Sequence, residues 1–360
     1  MIMSTSKRKI EHLNFCAHSP VESRKKGTGF EDITLIHRAL PEINMDEIDL
    51  STQFLGKDFS APFMIASITG GHEDTIPVNR SLAKAAEKMG VGIGVGSQRA
   101  AIEDPAQEES FRVVREEAPN AFVYGNIGAA QIKEYGVEVV EKLVDMIDAD
   151  AMAVHLNFLQ EAVQPEGDRN ASGSLEAISE ICSLDVPVIV KETGSGIPHE
   201  DAVLLKKAGV SAIDVGGVGG TSWSGVEFYR AKDRDDLRSQ LLGEIFWDHG
   251  IPTAPDIMEC DVSLPLIATG GIRSGLDIAK SLALGADIAS AALPFVEPAL
   301  KNEQEVVDTL SDIIYQLKVA MFLCGCKTIN ELHHVPVVVT GWTREYLLQR
   351  GFEINKSSTR

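Results

Sequence analysis

The chain has 360 residues, of which 44% are hydrophobic and only 6% aromatic, a globular composition with an aliphatic core. Its 53 acidic against 33 basic residues give a formal charge of -20. Such a surface repels nucleic acid and anionic membranes, so neither is an expected partner. Five cysteines scattered at positions 16, 182, 260, 324 and 326 form neither a disulfide framework nor a zinc knuckle. The first residues lack an apolar signal core, and no stretch reaches the ~18 apolar residues of a membrane helix. The expectation is a cytoplasmic protein with reduced thiols.

From residue 62 onward, a short apolar run ending in Gly, Ser, Thr or Asn is followed by an amphipathic stretch. The runs are 62–67, 91–96, 122–126, 151–157, 186–193, 212–217, 264–269 and 288–293. They are continuously apolar, as parallel strands covered on both faces must be. Their spacing is that of one strand–helix unit. Between them, residues 137–147 carry one apolar helical stripe, and a helix ending at Leu284 has Gly285 as its terminator. Eight such units predict a (β/α)8 TIM barrel over 62–321, with extensions 1–61 and 322–360, as one domain. A doubly wound open sheet is the rival. The one long gap, 212 to 264, holds a polar segment rich in Arg, Lys and Asp, read as a lid or surface loop over 221–239.

Active sites of this fold lie at the C-terminal ends of the strands. Here nearly every strand ends in a polar or glycine-rich group: residues 67–71, 97–99, Asn126, His155 with Asn157, Gln160 and Glu161, residues 191–193, 216–221, 269–273 and 292–294. The two glycine loops let backbone N–H groups approach an anion closely. Thr221 adds a hydroxyl, and the helix starting near Gly275 adds its dipole. Lys191 ends an apolar strand, where an unpaired ammonium would be costly. Schiff-base formation, phosphate pairing, charge neutralisation near a flavin ring, or an ion pair with Glu192 or Glu161 all account for it. Glu161 is a candidate magnesium ligand or an ordinary surface acid. Lys7-Arg8-Lys9 and Arg24-Lys25-Lys26 are either a local basic pocket for an anionic ligand or solvated charge runs.

Together, Arg8-Lys9 with His12, residues 66–71, Ser97-Gln98-Arg99, His155 with Asn157, Gln160-Glu161, Lys191-Glu192, residues 216–223, 270–273, 292–294 and 340–344 resemble the type 2 isopentenyl diphosphate isomerases. The likeness runs from about residue 7 to Gly351, with Ile68 standing where the family more often has methionine. The resemblance implies FMN held by Ser67, Ile68, Thr69, Ser97, Asn126 and Lys191, its phosphate on Thr221, Gly271, Ile272, Arg273, Ala292 and Leu293. It implies a substrate diphosphate on Arg8, Lys9, Ser97, Gln98, Arg99, His155 and Asn157. Gln160 would lie beside the allylic end, and Glu161 would bind Mg2+. Gln160, Lys191 and Glu161 are thereby the expected catalytic set. NADPH would serve only to reduce the flavin, and the family is homo-oligomeric, as tetramers or octamers. A 2-hydroxy-acid oxidase or dehydrogenase on the same barrel would need a catalytic histidine or cysteine on a late strand-end loop. A non-catalytic flavin- or phosphate-binding barrel would not need Gln160-Glu161 or Arg8-Lys9.

Overall fold

Eight parallel strands close into a barrel in the computed structural model: β1 (Phe63–Ile65), β2 (Gly92–Gly94), β3 (Val123–Gly128), β4 (Ala151–Leu156), β5 (Val188–Glu192), β6 (Ala212–Asp214), β7 (Leu266–Ala268) and β8 (Ile288–Ala291). Each pairs with its successor, and β8 returns to β1 with Ser290 opposite Met64. All eight apolar runs are therefore barrel strands, and the open-sheet alternative falls. The structure describes residues 5–353. Residues 1–4 and 354–360, at the outer ends of the two extensions, and the Lys7 side chain lie outside the described residues.

The two-residue repeat of a strand decides what faces the barrel axis. Met64, Tyr124, Ala151, Ala153, Ile189, Ala212, Ile267 and Ile288 form one buried cluster inside the ring. Their neighbours Phe63, Ile65, Met152, Val154, Val188, Val190 and Ile213 pack outward into a second core under the helices. Two residues further along the same inner faces come Asn126, His155, Lys191, Asp214, Thr269 and Ser290. The pleat alone thus turns the upper layer of the barrel polar while the layer beneath stays apolar. Gly94 belongs to this packing, because a Cβ there would come 2.1 Å from the Tyr124 ring.

A hairpin, Thr52–Phe54 with Lys57–Phe59, closes the bottom of the barrel. Its Phe54 and Phe59 pack edge-on and tilted against Phe122. The strand Ile33–Leu35 pairs antiparallel with Val337–Val339, joining the two extensions. Across the top lies the N-terminal helix Thr5–His18. Among the described residues no helix is long and apolar enough to cross a membrane. All five cysteines are free, with Cys260, Cys324 and Cys326 buried.

The expected lid over 221–239 is instead ordered helix. Trp223–Asp233 is followed by Leu237–Ile245, and Glu227 and Arg230 are 1% and 2% exposed. Buried charges survive only when paired and hydrogen-bonded. Arg230 meets this demand by donating to Glu227, to Glu166 at 2.6 Å and to Glu11 at 3.1 Å. One guanidinium thus ties the N-terminal helix and the 164–168 loop to the barrel. Phe15 stacked on Tyr229 and His12 edge-on to Trp223 extend the same seam.

Replacing Arg230 with Met leaves buried carboxylates unpaired, and the expected loss of stability is about 3–5 kcal/mol. Denaturant unfolding measures it; a loss below about 0.5 kcal/mol would show that Arg230 does not hold this seam.

Candidate functional site

A cavity of about 220 Å³ opens at the C-terminal end of the strands under the N-terminal helix. A single buried water needs only about 10–15 Å³ on this measure, so the space is built for a ligand. Seventeen of the expected site residues line it: Arg8, Lys9, Ser67, Ile68, Ser97, Arg99, Asn126, His155, Asn157, Gln160, Glu161, Lys191, Thr221, Gly271, Arg273, Ala292 and Leu293. They come from the N-terminal helix and from strand-end loops far apart in sequence.

Three expected residues do not reach it with their side chains. Gln98 is fully buried, donates to Leu143 O at 2.9 Å and accepts from the Asn126 amide at 2.9 Å. It fixes Asn126, and its side chain does not line the cavity. Thr69 is buried, and its carbonyl accepts from Gly96. The Ile272 side chain is buried in the outer core, which leaves only its backbone for a ligand.

One end of the cavity is a backbone anion cradle. Gly270 and Gly271 have φ of 103° and 76°, the region that favours glycine. A Cβ on Gly270 would come 2.1 Å from Gly217 O, and one on Gly220 2.4 Å from Gly271 N. The two glycine loops therefore touch backbone to backbone. The helix Leu293–Lys301 starts at the same wall, so its N-terminal dipole favours an anion there. The helix Gly275–Leu284, expected to do this, does not. Its Ser274–Asp277 capping box takes up the Arg273 and Ser274 amides, and Gln316 takes that of Gly275. The Arg273 guanidinium itself pairs with Glu22 at 2.6 Å.

The opposite end is basic. Arg8, Lys9 and Arg99 face it from the N-terminal helix and the loop after β2. Burial lowers the Lys9 ammonium to about 7, with Arg8 and Arg99 adding to the effect. Burial and the charges of Lys9, Lys191 and Arg8 push His155 down to about 3, so its imidazole is neutral. Its Nδ1 lies 2.8 Å from Asn126 Oδ1. Arg24, Lys25 and Lys26 take no part in the cavity: Arg24 lies 3.4 Å over the Trp247 ring and pairs with Glu244.

Between the two ends sit the polar side chains. Lys191 Nζ donates to Asp214 Oδ2 at 3.1 Å, and Asp214 Oδ1 accepts from the Thr269 hydroxyl. Asp214, absent from the expected set, is thus the ion-pair partner of Lys191 in place of the Glu192 or Glu161 carboxylate, and the ammonium also donates to the Glu192 carbonyl at 3.2 Å. Its one sequence signal is an acid interrupting the run Ala212-Ile213-Asp214-Val215. Gln160 Nε2 donates to Glu227 at 2.9 Å, and His12 lies 3.1 Å from the same oxygen. Burial acts to raise the Glu227 carboxyl, but its hydrogen bonds and the charge of Arg230 hold it well below the usual range. Glu161 accepts from Asn157 at 3.1 Å, Gln164 at 2.6 Å and the Asp168 amide at 2.7 Å. Among the described residues no group of three or more His, Cys, Asp or Glu side chains is arranged to hold a metal. Any cation here would therefore rely on ligand oxygens beside one carboxylate.

Residues 3–338 match the family model described as FMN-dependent dehydrogenase. The chain is 70% identical over 359 residues to the isopentenyl-diphosphate delta-isomerase of Methanosarcina mazei, covering 99% of this chain and 98% of that one. It is 56% identical over 350 residues to the enzyme of the same name from Archaeoglobus fulgidus, covering 97% and 100%. Among solved structures, mandelate oxidase with (S)-2-phenylpropionate superposes with a TM-score of 0.63 at 17% identity, over 93% of this chain and 96% of that one. That likeness carries the fold alone.

Lys9 yields a pH prediction. An anion at the basic end raises its pKa from about 7 toward the ordinary lysine value. The gain in affinity is therefore complete below pH 7 and is lost as pH rises through the bound-state pKa. At pH 8, inorganic pyrophosphate binding should take up close to one proton more in the native protein than in Lys9→Met, read by calorimetry in buffers of different ionisation enthalpy. Equal uptake in the two would remove Lys9 from the anion site.

Proposed function

The chain belongs to the isopentenyl-diphosphate delta-isomerases of the FMN-dependent dehydrogenase family, and we propose that it interconverts isopentenyl and dimethylallyl diphosphate by a 1,3-proton shift, with FMN reduced by NADPH and with Mg2+. The observation that carries this reading is one cavity lined both by the backbone cradle of the glycine loops and by the Arg8, Lys9 and Arg99 cluster. A 2-hydroxy-acid oxidase needs a catalytic histidine or cysteine on a late strand-end loop. The histidines lining this cavity are His12 and His155, on the N-terminal helix and β4.

The cavity residues fit a flavin nucleotide. Thr221, the Gly271 and Ile272 backbone, Arg273, Ala292 and Leu293 would hold its phosphate, and Ser67, Ile68, Thr69, Ser97, Asn126 and Lys191 its ring system. Once bound and reduced, the flavin supplies an electron-rich surface and a proton-transfer nitrogen for a reaction with no net redox change. Lys191, fixed by Asp214, stabilises negative charge on the ring. Arg8, Lys9 and Arg99 neutralise the diphosphate, with Ser97 and Asn157 as hydrogen-bonding partners; His155, whose Nδ1 proton is held by Asn126 Oδ1, would offer Nε2 as a donor only once the diphosphate favours its imidazolium. Glu161, oriented by Asn157, Gln164 and Asp168, is the carboxylate that would hold Mg2+, which would neutralise charge on the diphosphate. Gln160 sits next to Glu161 and is aimed by Glu227 at the wall where the alkene would lie. Helix Thr5–His18 covers the chamber and keeps water from a carbon approaching tertiary cation character.

The test is anaerobic turnover of the NADPH-bleached flavoprotein, followed by proton NMR of the two C5 diphosphates; no interconversion by reduced protein with Mg2+ overturns the reading. Two variants check the roles. Glu161→Gln should raise the Mg2+ requirement at least about tenfold while retaining flavin; loss of flavin would mean that Glu161 serves the cofactor. Lys191→Gln should slow the prereduced enzyme about 10²-fold, and an unchanged kcat would remove its electrostatic role.

A further inference from the structure

Behind the main cavity lies a second, small one of about 10 Å³, the volume of one water. It shares Gln160, Glu192, Thr193, Gly194 and Trp223 with the main cavity. Ser222, Ser224 and the exposed His249 line its far side. Two polar groups on its wall, Ser224 and Glu192, face this space. The Ser224 hydroxyl is buried, at 1% exposure of the residue, with no protein partner among the described residues. Glu192 accepts the Thr193 and Gly194 amides at 2.6 Å, and that of Ser195, all on Oε2. The three amides thus all lie on one oxygen of the carboxylate. A carboxylate with its other oxygen free of these amides and a buried, unpartnered hydroxyl around a one-water space form a water site.

We propose that Glu192, with a water bound between its Oε1 and the Ser224 hydroxyl, connects the reaction chamber to bulk solvent and replaces the proton that isomerisation exchanges. The inference rests on the isomerase reading above. The reaction adds one proton to the C5 chain and removes another, so a dry chamber needs one guarded route to water. In the relay, the Glu192 O–H bond breaks as its proton passes into the chamber to replace the one added to the C5 chain, and the proton removed from the chain returns to the carboxylate, so no net proton enters or leaves. Between turnovers the carboxyl exchanges its proton with the water, which exchanges with solvent on the His249 side. No electrons move, and the same steps run backward for the reverse reaction.

The side chain suits this task. Burial raises the Glu192 carboxyl to about 7 against the opposing pull of three amides and Lys191, so both protonation states are populated near neutrality. The titratable groups facing it are Lys191 on its own strand, buried Asp256 on helix Thr253–Glu259, whose carboxyl is itself raised, and His249 across the small cavity. Strand alternation explains its position: Val188 and Val190 face outward, and Glu192 continues that face, between chamber and outer shell.

The experiment compares native, Glu192→Gln and Ser224→Ala holoenzymes, with flavin prereduced, in D2O. It reads kcat against pH together with deuterium entry into both diphosphates. The expected result for Glu192→Gln is retained flavin and KM, kcat down at least tenfold, and loss of the inflection near pH 7. Ser224→Ala keeps the carboxylate and its three amides and should slow deuterium entry several-fold. It carries the test if Glu192→Gln fails to hold flavin. An active native enzyme with both variants unchanged in pH profile and deuterium entry overturns the relay alone. An inactive native enzyme overturns the isomerase reading and the relay with it.

Discussion

The structure turns on the buried Arg230 guanidinium and its three carboxylates. A protein of charge -20 must bring positive charge to an anion site, and here it does so with a helix that precedes the barrel in sequence. Glu11 fastens that helix to Arg230, Glu166 fastens the loop whose Gln164 and Asp168 donate to Glu161, and Glu227 aims Gln160. The helix bearing Arg8 and Lys9, the loop that orients Glu161, and Gln160 are thereby referred to one rigid point. An ion cluster of this kind contributes little net stability compared with apolar packing, but removing one member is costly. Its value lies in fixing geometry.

The barrel contributes the other half. Its pleat places an apolar layer at the level of Tyr124, Ala153 and Ile189 and a polar layer two residues higher. The Phe54 and Phe59 hairpin seals the bottom. The cavity therefore lies at the other end of the barrel, under the N-terminal helix. Lys191 and Asp214 are neighbours in strand register, so the cation is oriented before any ligand arrives and little reorganisation is needed.

Much of this was legible in the sequence, for definite reasons. Parallel strands buried on both faces must be apolar throughout, so eight runs gave eight strands. The glycine loops were visible because close backbone approach admits no other residue at Gly270 and Gly271. Pairings across long separations were not legible. Arg230 was read as part of a lid or surface loop because Glu11 and Glu166 lie far from it in the chain. Asp214 was missed because its partnership with Lys191 depends on strand register. Gln98 stands beside Arg99 yet turns into the protein, since helix Arg99–Glu103 begins between them and the two side chains diverge. The Gly275 helix was credited with anion binding that its own Asp277 forestalls.

The central claim is that one cavity holds two anionic ligands at once, the flavin phosphate on the glycine loops and the substrate diphosphate under the N-terminal helix. The most direct measurement is a crystal structure with FMN and isopentenyl diphosphate both bound. The account predicts the flavin phosphate against Gly271 and Leu293, and the diphosphate against Arg8, Lys9 and Arg99. A diphosphate bound elsewhere, with Arg8 and Lys9 turned to solvent, would contradict it.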